Sequence, residues 1–122
     1  MKKPTLFLSL AGSYGLIAVL LGAFGAHALE ARLDELDTTA VWETAVDYQM
    51  WHALAVLIII ALRLKGGLVP AAVGCFCAGV PLFSGSLYWL ALDGPRWLGP
   101  ITPLGGLFFV VGWILFMAAA LR

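Results

Sequence analysis

The stretch GGLVPAAVGCFCAGVPLFSGSLYWLAL, Gly66 to Leu92, contains no Asp, Glu, Lys or Arg. A helix needs roughly 20 apolar residues to cross a bilayer hydrocarbon core of about 30 Å, and this stretch exceeds that length without help. Two further uncharged runs match it, Pro4 to Leu29 and Trp97 to Leu121. A fourth, Tyr48 to Leu62, is shorter. Apolar Val41, Trp42, Ala45 and Val46 lead into it, and Arg63 and Lys65 reach the interface along their alkyl stems. The reading is all-α: an integral membrane four-helix bundle forming a single transmembrane domain, 1–122, with spans at about 5–28, 45–64, 67–92 and 101–121.

Composition agrees. The chain is 62% hydrophobic and 11% charged, with a mean hydropathy of +0.99, outside the usual makeup of soluble domains. A net charge of zero gives no basic face for a nucleic acid. The distribution of charge says more than its sum. Every acid, Glu30, Asp34, Glu35, Asp37, Glu43, Asp47 and Asp93, falls between spans one and two or between spans three and four. Lys2, Lys3, Arg63, Lys65 and Arg122 fall on the other side, and only Arg32 and Arg96 join the acids. Such a Lys/Arg bias places the richer side, and with it both termini, in the cytoplasm. The expected location is a bacterial inner (plasma) membrane, multi-pass. Lys2 and Lys3 before an apolar run, with Ala26-His27-Ala28 after it, have the look of a secretory signal. The run is of span length, however, where a signal core has roughly 7 to 15 residues.

Small residues recur at helical spacing: Ala11, Gly15, Ala18, Gly22 and Ala26 in the first span, Ala71, Gly74, Ala78 and Gly85 in the third, Gly105, Gly112 and Ala119 in the fourth. In lipid, close van der Waals contact at such residues is a main source of helix association. Gly25 belongs with Gly22 as a place where backbone can approach a helix or ligand. Stripes on three helices predict tight packing, and also a homo-oligomer or a larger membrane complex alongside lipid. Pro81 removes a backbone donor and predicts a kink near Cys77, past which Ser84, Ser86 and Tyr88 can donate to freed carbonyls or to a neighbouring helix. Cys75 and Cys77 point to nearly opposite sides of a helix and read as small core hydrophobes.

Asp37 or Thr38 is placed to cap a helix whose apolar side is Val41, Trp42, Ala45 and Val46, so a short amphipathic helix along the outer interface is expected before the second span. Asp93-Gly94-Pro95 reads as a turn, and Gly99 to Pro103 as a short structured loop. Trp42, Tyr48, Trp51, Tyr88, Trp89 and Trp97 gather near the outer boundary as an aromatic belt.

The sharpest intramembrane titratable groups are His27, at the outer end of span one, and His52, one turn inside the outer end of span two. Antiparallel neighbours would bring them to similar depth. Imidazoles there can fasten helices by hydrogen bonds, pass protons or hold a ligand, or contribute to a metal site. Two histidines fall short of the three or four ligands zinc takes, so no metal or other cofactor is implied. No HExxH, glycine-rich phosphate loop or GxSxG elbow is present. Small multidrug transporters are four-span chains of about this length, but they rely on an acid buried in the first span, and Pro4 to Leu29 has none.

Gly22-Ala23-Phe24-Gly25-Ala26-His27-Ala28-Leu29, then Trp42-Glu43-Thr44-Ala45 with Tyr48-Gln49 and His52-Ala53-Leu54, then Leu82 to Tyr88, then Ile101-Thr102-Pro103-Leu104-Gly105-Gly106 resemble the domain-of-unknown-function 423 family, related to small transmembrane proteins of eukaryotes. The resemblance implies a small multi-span membrane protein with no settled activity. All four motif regions converge on the exterior half of the bundle, where His27, Tyr48, Gln49, His52, Ser84, Ser86 and Thr102 form the candidate site. The expectation is a non-enzymatic accessory or lipid- or small-ligand-binding protein. The alternatives are a transporter or proton conductor using His27 and His52, and then a membrane enzyme or metal protein.

Overall fold

The computed structural model describes residues 3–122; Met1 and Lys2, and with Lys2 part of the expected basic flank, lie outside the described residues. Helix α1 runs Lys3–Ala26, α2 Glu30–Leu36, α3 Thr39–Leu62, α4 Leu68–Val80, α5 Ser86–Ala91 and α6 Ile101–Ala120. A π-helical segment, Pro81–Gly85, joins α4 to α5, and a 3-10 turn, Arg96–Leu98, precedes α6. Among the described residues four stretches are long and apolar enough to cross a membrane: Thr5–Ala26, Thr39–Leu62, Leu68–Ala91 and Arg96–Ala120.

α1 packs on α3, α6 packs on α4 and the π segment, and α3 with α4 and α5 forms the middle. The outer helices keep wide apolar faces free: Leu16, Val19 and Leu20 on α1, Leu107, Val110 and Ile114 on α6. In lipid such faces cost nothing, which is why the long outer helices need no one-sided pattern of a soluble bundle. The interior is a cluster around Ala11, Val56, Ile59, Val73, Phe76, Val80 and Phe109. A smaller one, Leu33, Trp42 and Ala91, sits at the end that carries the acids.

Three local expectations change. The helix that starts after Thr38 does not lie apart from the second span, because α3 runs unbroken from Thr39 to Leu62 with Trp42, Ala45, Gln49 and His52 on one buried side. The short amphipathic helix exists, but it is α2: Leu33 is fully buried while Glu30, Arg32, Asp34 and Glu35 are exposed. Asp37 closes α2 in the left-handed region with φ 56°, and the Thr38 hydroxyl donates to the Ala91 carbonyl at 2.6 Å instead of capping α3. In the third span the distortion falls on the far side of Pro81, as the π segment, rather than at Cys77.

Small residues are used unevenly. A Cβ at Gly105 would strike the Phe83 backbone, and one at Gly112 would lie 2.6 Å from the Phe76 ring. One at Gly25 would run into the Trp42 indole, and one at Gly22 would meet Val46 at 3.4 Å. A Cβ at Gly15, Gly74 or Gly85 would meet no atom of another helix within 4 Å among the described residues. A Cβ at Gly79, not singled out above, would lie 2.6 Å from the Phe109 ring.

Candidate functional site

Among the described residues Gln49, His52, Ser84 and Ser86 are the buried polar ones, at 3%, 4%, 0% and 4% exposure. Each is tied to a backbone or side-chain partner on its own or a neighbouring helix. Gln49 bridges three spans: its amide donates to the Tyr14 carbonyl of α1 at 2.8 Å, and its side-chain oxygen accepts from the Tyr88 hydroxyl of α5 at 2.8 Å. Tyr14 in turn donates to the Cys77 carbonyl of α4 at 2.7 Å. Ser84 donates to the Ala45 carbonyl of α3 at 2.7 Å. Ser86 lies 2.6 Å from the Leu82 carbonyl and 2.6 Å from the Thr102 hydroxyl, joining the end of the third span to the start of α6.

His52 occupies a cage of aromatic rings. Its Nδ1 is 2.7 Å from the Tyr48 carbonyl, which can only accept, and its Nε2 is 3.1 Å from the Trp113 indole N–H, which can only donate. The two contacts together specify the neutral imidazole with the proton on Nδ1. The ring stacks on Phe109 with centroids 3.7 Å apart and planes at 9°, and Phe76 meets it edge-on at 5.1 Å. Tyr48 contributes its carbonyl and the face of its ring, 4.7 Å from Phe83.

His27 is not part of this cluster. It lies in the turn after α1, exposed, in an open depression of about 470 Å³ shared with Glu30, Asp34 and Thr39. Thr39 is the first residue of α3, so His52, thirteen residues on, is about 20 Å away along the helix. The structure therefore does not bring the two histidines together: His27 shares its depression with the first residue of α3, and His52 sits in the middle of that helix.

Among the described residues, no buried side-chain nitrogen or oxygen lacks a hydrogen-bond partner. Neither opening at the acidic end, the His27 depression or a cleft of about 110 Å³ between Gly22, Gly25 and Trp42, is lined by Gln49, His52, Ser84, Ser86 or Thr102. Among the described residues no group of three or more His, Cys, Asp and Glu side chains is placed to hold a metal. The arrangement binds helices to one another.

Tyr14 and Trp113 belong to the cluster although they were not among the candidate residues. Trp113 carried a signal: it lies mid-span, away from either interface, where an indole N–H has no water and seeks an acceptor. Tyr14 had a weaker one, a hydroxyl in an otherwise apolar span.

The pattern of the family described as "Protein of unknown function (DUF423)" matches residues 21–106. The chain is 44% identical over 119 residues to the UPF0382 membrane protein YwdK of Bacillus subtilis, covering 95% of this chain and 96% of the relative. It is 41% identical to the UPF0382 membrane protein SERP0230 of Staphylococcus epidermidis, over 95% of each chain. With the UPF0382 membrane protein SAB0533 of Staphylococcus aureus the identity is 42%, over 96% of each. No solved structure matches.

Proposed function

The chain belongs to the DUF423 family of membrane proteins, and on that premise we propose that it is a non-enzymatic membrane component whose polar cluster is a fastener. The observation that carries this reading is His52. Both ring nitrogens are already committed, to the Tyr48 carbonyl and the Trp113 indole, and the ring face is covered by Phe109. A proton carrier needs a nitrogen that can exchange partners with water, and a catalytic base needs one that can reach a substrate. Gln49, with donor and acceptor both used between helices, supports the same role. The work of the protein is then done by its surfaces, toward lipid or a partner subunit.

Reconstitution in liposomes carrying an internal pH dye tests this. Wild type and His52→Gln should leak protons no faster than protein-free liposomes under an imposed pH gradient, while His52→Gln unfolds at lower temperature. A wild-type proton flux that a folded His52→Gln variant loses would instead establish the conducting alternative.

A further inference from the structure

We propose that the basic end of the bundle holds one anionic phospholipid, its headgroup on Arg63 and Lys65 and an acyl chain in the groove between α1, the end of α3 and the start of α4. This goes beyond the fastener reading and does not depend on it. The groove encloses about 500 Å³, within the range of small-molecule sites. Phe7, Ile60, Val69 and Val73 give it an apolar wall, and Arg63 and Lys65 line it from the loop between α3 and α4.

The order of these groups along the membrane normal is that of a lipid. Leu62 is the last residue of α3 and Leu68 the first of α4, so both cations sit where the chain leaves the hydrocarbon. Val73 lies five residues into α4, about 7–8 Å deeper. Charge complementarity identifies the headgroup. No acidic residue occurs from Tyr48 to Leu92, and among the described residues the recorded ion pair, Arg32 with Glu35, belongs to the loop between the first two spans. The Arg122 guanidinium adds a third cation beside Gly66. Cations between membrane helices on the Lys/Arg-rich side attract anionic headgroups. A zwitterionic lipid would bring its own ammonium toward the same cations, and a second copy of the chain would bring the same positive rim.

The full chain, purified in mild detergent, can be titrated with phosphatidylglycerol or phosphatidylcholine of identical acyl chains, with bound lipid counted by native mass spectrometry. Phosphatidylglycerol should bind at least tenfold more tightly. Near an anionic headgroup each cation contributes about a fivefold gain, so Arg63→Asn combined with Lys65→Gln should weaken phosphatidylglycerol roughly 25-fold and leave phosphatidylcholine unchanged. Asn suits the left-handed backbone at position 63, φ 54°, and both side chains are exposed, so the double variant should keep the wild-type melting temperature. A phosphatidylglycerol with a photoreactive acyl chain should label peptides containing Phe7 or Val73. Equal affinity for the two lipids, a double variant that keeps the preference, displacement by soluble glycerol phosphate alone, or labelling confined to α6 would each overturn the proposal.

Discussion

The Tyr14 hydroxyl donates to the Cys77 carbonyl at 2.7 Å, the acceptor that Pro81, four residues on, leaves without its helical N–H. A side chain on α1 thus completes the backbone of α4. In lipid no water can do so, and a carbonyl left bare there costs free energy. The same contact ties the first span to the third, which otherwise meet over a small area.

Tyr14→Phe should therefore destabilise the bundle by about 1 kcal/mol, the scale of hydrogen bonds between membrane helices. Pro81→Ala restores an N–H at that position, and in its background the cost of Tyr14→Phe should shrink. Unfolding in mixed detergent micelles read as a double-mutant cycle checks this; additive costs would mean that the hydroxyl does not substitute for the missing donor.

His52 and Trp113 should be coupled. Trp113→Phe leaves the His52 Nε2 acceptor without its 3.1 Å partner, and the pairwise term should be about 0.6–1.7 kcal/mol when His52→Phe and Trp113→Phe are measured singly and together. No coupling would place the stability of this region in the Phe109 stack alone.

Glycine substitutions should split into two groups. Gly105→Leu and Gly112→Leu put carbons into the Phe83 backbone and the Phe76 ring, and should cost 3 kcal/mol or about that, the upper part of the overpacking range. Gly15→Leu and Gly74→Leu enter open space within the chain and should leave monomer stability nearly unchanged. If either one dissociates a detergent-purified oligomer, that face is a contact between copies, since small residues are what membrane interfaces select.

Topology is open to labelling in a background of Cys75→Ala and Cys77→Ala. A membrane-impermeant thiol reagent added outside intact cells should modify cysteine introduced at Asp34 or Asp93 and miss one at Lys65. The opposite pattern would invert the orientation argued from the Lys/Arg bias.

Membrane residence, the helical class and the number of spans could be read from the order of residues alone, because the bilayer imposes a length of uncharged helix that a run such as Gly66 to Leu92 meets directly. The turn at Asp93 could also be read locally, and it forms with Asp93 at φ 68° and the Gly94 N–H on the Trp89 carbonyl at 2.8 Å. That the helix starting after Thr38 runs straight on into the second span could not. Glu43 and Asp47 broke the apolar run without breaking the helix, since both face outward while Trp42, Ala45 and Gln49 turn inward.

Which polar groups meet was decided by the tertiary structure. His27 and His52 carry the same side chain near the ends of adjacent spans in sequence, yet one lies in an exposed turn and the other inside an aromatic cage. The difference arises from where α3 begins and from the bulk of Phe109 and Trp113 on α6, neither visible in the spacing of the histidines. The glycines tell the same story: Gly74 and Gly112 look alike along the chain, but only the one facing Phe76 is filled. Hydrophobic length is a property of a single helix against lipid, and the sequence alone determines it. Partners for a hydroxyl, an imidazole or a glycine surface depend on which faces two helices turn toward each other, and only the packed structure settles that.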